Sequence, residues 1–504
     1  MNLSKYETRN GVMVPKAIGY DVVLPNLNRR QVGISTWTMP VDEDRLVGWW
    51  DLQRLRLECN HAIRNRPTAR AIHDRIIDGV VGTDGIRHEA STSDPKWNKL
   101  ADDYMTERDK IWDYRQRCKS IVEADQLCIH HILTDGGLFF LRMENGQEQP
   151  IEADRVCTPE KFMTDESVVN GARVGAGGII IGWYVCDRNS RGHVDRSKFE
   201  YVESQYMIHV GNPFRVDQIA PIPMMAPSIA KLIDLDEMEQ SMLLKAKAEA
   251  KRAGAFYSNS ATGGPGTVPD RLAGFGTTAG REANRGLTYE TVNSLEFYYP
   301  MSSEKLDSLE PKTPGQYHIE YCNLVFDECC AAMGVAPEWV KLKYNTSYIA
   351  SRGALVTTEP TIQRLQGTLE TKFRQRRWNW KISTAIRKKE LPPSPKDENG
   401  RPEWFKVFWH WPPMVALDRA DEAGADAREY QNRTSTLGDL HQRRGGNFER
   451  WLRKHVDECR QILRAAGHPD STPIPLWMMT PAMNSAVPPD ATGKDRAGAQ
   501  AAEK

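Results

Sequence analysis

Charged or reactive side chains crowd together at only a few places in this 504-residue sequence. The densest lies between Arg364 and Lys389. It holds nine bases (Arg364, Lys372, Arg374, Arg376, Arg377, Lys381, Arg387, Lys388, Lys389) against one acid, Glu370, with Trp378 and Trp380 interleaved. A basic helix carrying aromatics can hold nucleic acid, cations on phosphate and indoles against bases. The plainer alternative, and the favoured one, is a helix whose cations pair with acids of a neighbouring chain while the tryptophans are buried. A second place is the loop from Gly334 to Arg352, with Lys341, Lys343 and Arg352 and no acid after Glu338. Two lysines on a loop between long helices could meet a phosphate backbone; an exposed, solubilising loop fits equally well.

Patterns that carry catalysis are absent. No G-x-x-x-x-G-K-[ST] cradles a nucleotide, and the glycines between Gly171 and Gly178 miss dinucleotide spacing and read as a turn between strands. There is no G-x-S-x-G elbow, and neither H-E-x-x-H nor C-x-x-C is present to hold a metal. His130 and His131 are adjacent on a predicted helix and cannot converge on one ion, so a structural role is expected. Asp102 and Asp103 sit among bases and read as a solvated helix face. The nine cysteines are odd in number and are expected to be buried, reduced thiols made in a cytosol. No catalytic residue, metal or cofactor is assigned.

The elements that position these residues follow from periodicity. The length exceeds what one ordinary core accommodates. Lys plus Arg and Asp plus Glu balance at 67 each, unlike a protein that grips phosphate over its whole surface. No run approaches the roughly 18 apolar residues of a membrane span. The first residues lack the apolar core of a signal peptide, so Asn345-Thr-Ser is discounted as a glycosylation signal. Residues 1–45 read as irregular. Helices are expected over about 43–66, 68–80 (Pro67 in its first turn), 95–117 and 118–134. Short apolar runs at Leu138, Ile179 and Tyr206 read as strands. An α+β fold class follows. One long helix covers 226–252, acidic in its first half and basic (Lys245, Lys247, Lys251, Arg252) in its second, which complements the helix dipole. A Gly-rich insert precedes a helix over 316–333. After a break comes a long helix over 348–389, expected to kink at Pro360, then a strand at 405–411, helices over 417–466 and a disordered tail.

In their order, several segments resemble the lambda-type portal family of tailed bacteriophages over roughly residues 45–466. They are Arg64-Asn-Arg-Pro with Val80-Val-Gly-Thr-Asp-Gly-Ile; Gly136-Gly-Leu-Phe-Phe with Ile151-Glu-Ala-Asp-Arg-Val; and His209 to Ala226 with Arg215 and Gln218. Further along are Gly334-Val-Ala-Pro with Tyr344-Asn-Thr-Ser-Tyr-Ile-Ala-Ser-Arg, and Trp411-Pro-Pro with Asp418. Gln218-Ile-Ala-Pro-Ile-Pro departs from the family's Q-x-R-G-x-P pattern.

The resemblance implies a non-enzymatic portal fold. Its parts are an α/β wing (1–225 and 351–412), a two-helix stem (226–252 and 316–333), a clip (253–315), a tunnel loop (334–350) and a helical crown (413–470). Residues 471–504 form the tail. It implies a homo-oligomeric ring, usually of twelve subunits, at one capsid vertex of the virion. Double-stranded DNA passes through such a ring in genome packaging and ejection without sequence preference. The implied partners are the terminase large subunit, a major capsid or scaffolding protein and a head–tail adaptor; no membrane is involved. Lys341, Lys343, Tyr344 and Arg352 would face the DNA channel, with Lys245, Lys247, Lys251 and Arg252 as basic positions of the stem. The competing readings are another virion structural protein, such as a head–tail connector or adaptor, and a DNA-packaging enzyme component. The first is normally shorter; the second needs a phosphate loop or clustered carboxylates.

Overall fold

The computed structural model describes residues 6–9, 12–15, 44, 47–83, 85–255, 288–292, 295–299, 316–343, 348–412, 419–443, 448–467, 469 and 473–475. They divide into two units, Met1–Gly85 with Ala90–Val407, and Ile86–Glu89 with Phe408–Lys504. Each is described by itself.

In the first unit, strands β1 (Tyr6–Arg9) and β2 (Val12–Pro15) pair antiparallel, so part of the expected irregular leader is a hairpin. Helices α1 (Trp49–Asn65) and α2 (Pro67–Val80) follow. Pro67 opens α2, where its missing N–H costs nothing. Strand β3 (Arg87–Ala90), of which only Ala90 belongs to this unit, is followed by α3 (Pro95–Lys110), shorter than expected. Its Asp94 cap accepts a hydrogen bond from the Lys96 N–H. Helix α4 (Ile121–Thr134), capped by Ser120, buries Ile121, Ala124, Cys128, Ile129, Ile132 and Leu133.

Strands β4 (Gly137–Arg142) and β5 (Glu148–Glu152) precede a four-stranded antiparallel sheet of β6 (Val168–Val169), β7 (Ala172–Val174), β8 (Ile180–Arg188) and β9 (Val194–Glu203). Part of the glycine-rich stretch expected as a turn is therefore strand β7. β4 lies between β5 and β10 (Met207–Gly211). Its continuous apolar run is explained by burial on both faces. Phe139 packs with Ile151, Trp183 and Met207 against the four-stranded sheet, while Phe140 meets Trp112 on the opposite face. Gly136, at φ +88°, precedes the strand; a Cβ there would lie 1.9 Å from the Pro221 carbonyl oxygen.

The chain continues through α5 (Ala226–Lys251), β11 (Arg252–Ala255), β12 (Thr288–Val292), β13 (Leu295–Tyr299), α6 (Gln316–Met333) and α7 (Pro337–Lys341). Then comes α8 (Tyr348–Leu369), which merges through a π-helical turn at Glu370–Arg374 into α9 (Gln375–Arg387). The helix assignment runs through Pro360, and a change from α to π geometry follows ten residues later at Glu370–Arg374.

Here the basic run finds its partners. Arg374 Nε donates to Asp125 Oδ1 at 2.8 Å, and its outer nitrogen pairs with Oδ2. Arg377 Nε donates to Glu148 Oε1 at 2.9 Å, and its NH1 pairs with Asp109. The Lys381 ammonium sits 3.0 Å from Glu148 Oε2, a contact of charges without hydrogen-bond alignment. Trp378 is fully buried, its indole N–H on the Trp404 carbonyl at 2.9 Å. The acids belong to α3, α4 and β5 of the same chain, not to a neighbour. For Arg374, Arg377, Lys381 and Trp378 the nucleic-acid reading is therefore overturned: their donors are buried. Burial raises the Asp125 carboxyl pKa against the pull of Arg374. Burial, followed by Arg377, pushes Lys381 down to about 8.

The histidines are structural. His130 Nδ1 lies 2.8 Å from His73 Nε2, and His131 pairs with Asp135. Asp102 is half-buried and accepts the Ala90 N–H at 2.9 Å, so the expected solvated face holds only for exposed Asp103. His209 stacks on Phe139 with ring centres 4.2 Å apart. Burial, followed by Lys372 and Arg376, pushes His209 down to about 3.

In the second unit His88 packs edge-on to Trp409 and His410 Nε2 lies 2.9 Å from Glu89 in the β3–β14 (Val407–His410) ribbon. Helices α10 (Arg419–Gln431), α11 (Leu437–Arg443) and α12 (Phe448–Ala465) follow. Thr436 and Asp439 cap α11 reciprocally. Trp451 lies between His441 and His455. The expected disordered tail lies outside the described residues, save 473–475.

Two predictions follow from this core. Asp125→Ala leaves the buried Arg374 guanidinium with only Asp109, 3.9 Å away, and lowers stability by about 3–5 kcal/mol, whereas Asp125→Leu with Arg374→Met costs much less; urea unfolding of the three proteins checks this. His209 stays neutral when folded, so its stability contribution is complete above about pH 6.5 and is lost as pH falls from there towards 3. His209→Met therefore flattens the acid side of a melting-temperature profile between pH 7 and 4.

Candidate functional site

The feature least explained by internal packing is the helix pair α5–α6. Ser228 Oγ lies 3.4 Å from the Cys329 carbonyl, Lys231 pairs with Glu328, and Glu239 acts on Cys322. Residue numbers rise on one helix as they fall on the other, so the pair is antiparallel. At about 1.5 Å per residue, the 26-residue α5 spans roughly 39 Å.

The two ends of the pair differ. At the base, Ala226, Ile229, Leu232 and Leu235 on α5 and Phe326, Cys329, Cys330 and Met333 on α6 are buried. Arg66 at the α1–α2 junction donates to Asp236 at 2.6 Å. Beyond that tether several apolar side chains face solvent. Leu243 and Leu244 are 53% and 66% exposed, and Ile319, Tyr321 and Leu324 are 54–56% exposed. Isolated exposed leucines are ordinary; here exposed apolar residues occur on both helices of one pair. The far ends join a three-stranded sheet in which β13 lies between parallel β11 and antiparallel β12. The rest of the glycine-rich insert lies outside the described residues.

The break after α6 is a tight turn and a short helix, α7, rather than a continuous loop. Gly334 turns at φ +72°, where a Cβ would sit 2.4 Å from Thr361 Oγ1. Lys341 ends α7 and folds back on α6. Its Nζ lies 3.0 Å from Asn323 Oδ1, 3.5 Å from Asp327 and 4.4 Å above the Phe326 ring. Leu342 then adopts a left-handed conformation, φ 53°, and Lys343 is exposed. Arg352 is exposed on α8, and Tyr344 lies outside the described residues. Lys341 thus differs in its surroundings from the exposed Lys343 and Arg352. Of the basic stem positions, Lys245 and Lys247 are exposed on α5, Lys251 closes that helix and Arg252 opens β11. Among the described residues no three His, Cys, Asp or Glu side chains gather as a metal cage requires, and no helix is long and apolar enough to cross a membrane.

Sequence reading recognised the two helices but not which of their residues would be left uncovered. Leu243, Leu244, Ile319, Tyr321 and Leu324 carry no motif; the available signal was apolar residues falling outside the stripe that the core consumes. The pair thus has an embedded base and an exposed, partly apolar far end.

A family model described as phage portal protein, lambda family, matches residues 35–366, about two thirds of the chain. The chain belongs to the lambda family of phage portal proteins, a structural family. It is a component of a bacteriophage-type virion. No curated protein matches the sequence. Among solved structures, a chain of the neck of an empty GTA particle, computed with C6 symmetry, is 12% identical with a TM-score of 0.39, over 77% of this chain and 93% of that one. A chain of the neck of a native GTA particle, computed with C12 symmetry, gives the same identity and TM-score over 76% and 91%.

Gly334→Ala combines a left-handed backbone with a clash against Thr361 and should lower stability by about 1–3 kcal/mol. Urea unfolding measures it, with Gly353→Ala, whose Cβ meets open space, as the control.

Proposed function

We propose that this chain is the repeating subunit of a closed portal ring at one capsid vertex, the conduit for double-stranded DNA in packaging and ejection. Family membership supports the class. The observation that carries the ring is the uncovered end of the α5–α6 pair, whose apolar side chains require a neighbour, and cyclic symmetry gives every subunit the same one. In this reading 226–252 and 316–333 form the stem, 253–315 the clip, 334–350 the tunnel loop, 413–470 the crown, and 1–225 with 351–412 the wing. The clip serves as the dock for the terminase large subunit and later the head–tail adaptor, and the crown meets capsid or scaffolding protein.

A conduit has to let DNA slide. Each phosphate neutralised by a lysine adds salt-sensitive affinity, so a few cations at the constriction suit passage better than a continuous basic lining. Lys343, with Arg352, is the cation available for that contact. Lys341, engaged with Asn323, Asp327 and Phe326, sets the position of the turn that carries Lys343.

Negative-stain microscopy of the purified chain should show rings with a central hole, and Leu244→Glu with Tyr321→Glu should leave subunits that do not close. Rings undiminished in the double variant would sink the interface. In phage assembly, Lys343→Ala should alter packaged genome length or retention; unchanged values would remove the channel role from that residue.

A further inference from the structure

The described part of the first unit carries a recess of about 470 Å³ where the end of β4 meets α9. Arg142, Arg376, Asn379, Ser383, Trp380 and Trp404 line it, and none of its lining residues is acidic. Arg142 is held in place from two sides. Its guanidinium lies over the Trp380 ring at 5.4 Å, and its NH1 donates to the Gln205 carbonyl at 2.9 Å. Its Nε–H is buried without a hydrogen-bond partner in the chain. Arg376 is exposed in the same recess. The two cations oppose each other: burial first, then Arg376, lowers the pKa of Arg142. The acid felt by Arg142, Glu148, is already held by Arg377 and Lys381.

We propose that this recess is a docking site for an acidic peptide segment of a partner protein, with one carboxylate received by Arg142 and Arg376 and the adjoining apolar stem laid on Trp380 and Trp404. A fixed guanidinium beside a second, exposed one favours a planar carboxylate. Two indole surfaces favour a ligand whose charge rides on a hydrocarbon stem, as in Glu or Asp. Duplex DNA fits the chemistry poorly, because its bases are stacked inside and offer the indoles nothing. The site is independent of the helix-pair interface and of the ring reading.

The test is fluorescence anisotropy of acetyl-Gly-Glu-Leu-Glu-Gly-amide, carrying an uncharged dye, titrated with the full-length chain. Binding should saturate, weaken with salt, and fall about tenfold or more in Arg376→Gln. Arg376 is exposed, so that variant folds. Arg364→Gln, an exposed arginine on α8 outside the recess, should bind as wild type does. The glutamine analogue of the peptide should not bind. Equal affinity in Arg376→Gln and wild type would overturn the proposal. So would equal competition by inorganic phosphate, which would make the recess a general anion patch, or by a short DNA duplex, which would make it a nucleic-acid contact.

Discussion

Three cations on one stretch of helix, Arg374, Arg377 and Lys381, neutralise three acids brought from three other elements, Asp125, Asp109 and Glu148. All but Asp109 are almost completely shielded from water, so none of them can be left alone at small cost. The arrangement contributes little net stability compared with an apolar core of the same shape. What it contributes is a unique placement. The long helix α8–α9 can sit against α3, α4 and β5 in only one register, because any other leaves a buried charge without its counter-charge.

That placement reaches the rest of the unit. Phe373, in the π turn, stacks on Phe140 with ring centres 4.4 Å apart, so β4 is held from the helical side as Trp183 holds it from the sheet side through Phe139. At the other end of the long helix, Thr358 caps the approach to α7 by accepting the Ala336 N–H at 3.0 Å. The packed body of the first unit thus carries the base of the α5–α6 pair, while Leu243, Leu244, Ile319, Tyr321 and Leu324 further out are not covered by it.

Much of this was legible in the sequence. Helical periodicity located α2, α4, α5 and α6, and the apolar runs at Leu138, Ile179 and Tyr206 located β4, β8 and β10. The partners of the basic run were not legible. Asp109, Asp125 and Glu148 are separated from it by more than two hundred residues, and only the oddity of an aspartate within the apolar Ile121–Thr134 segment hinted that a cation must come to meet it. Short elements were missed for a different reason. The four residues of each strand in the β1–β2 hairpin and the five of α7 give too few repeats for a period to show. Lys341 illustrates the cost: beside Lys343 in sequence it looked like a loop cation, yet one short helix turns it back onto Phe326.

The π turn at Glu370–Arg374 has a further meaning. Each residue advances an α-helix by roughly 100°, and a widened turn takes up an added residue without passing the whole rotation on. Upstream, Ile362, Leu365 and Leu369 look into the core; downstream, Arg374 and Arg377 must look at the acids. The widened turn sets the angular phase between an oily face and an ionic one along a nearly continuous rod. Losing a single position here would swing both guanidinium groups away from their carboxylates while leaving the helix itself intact.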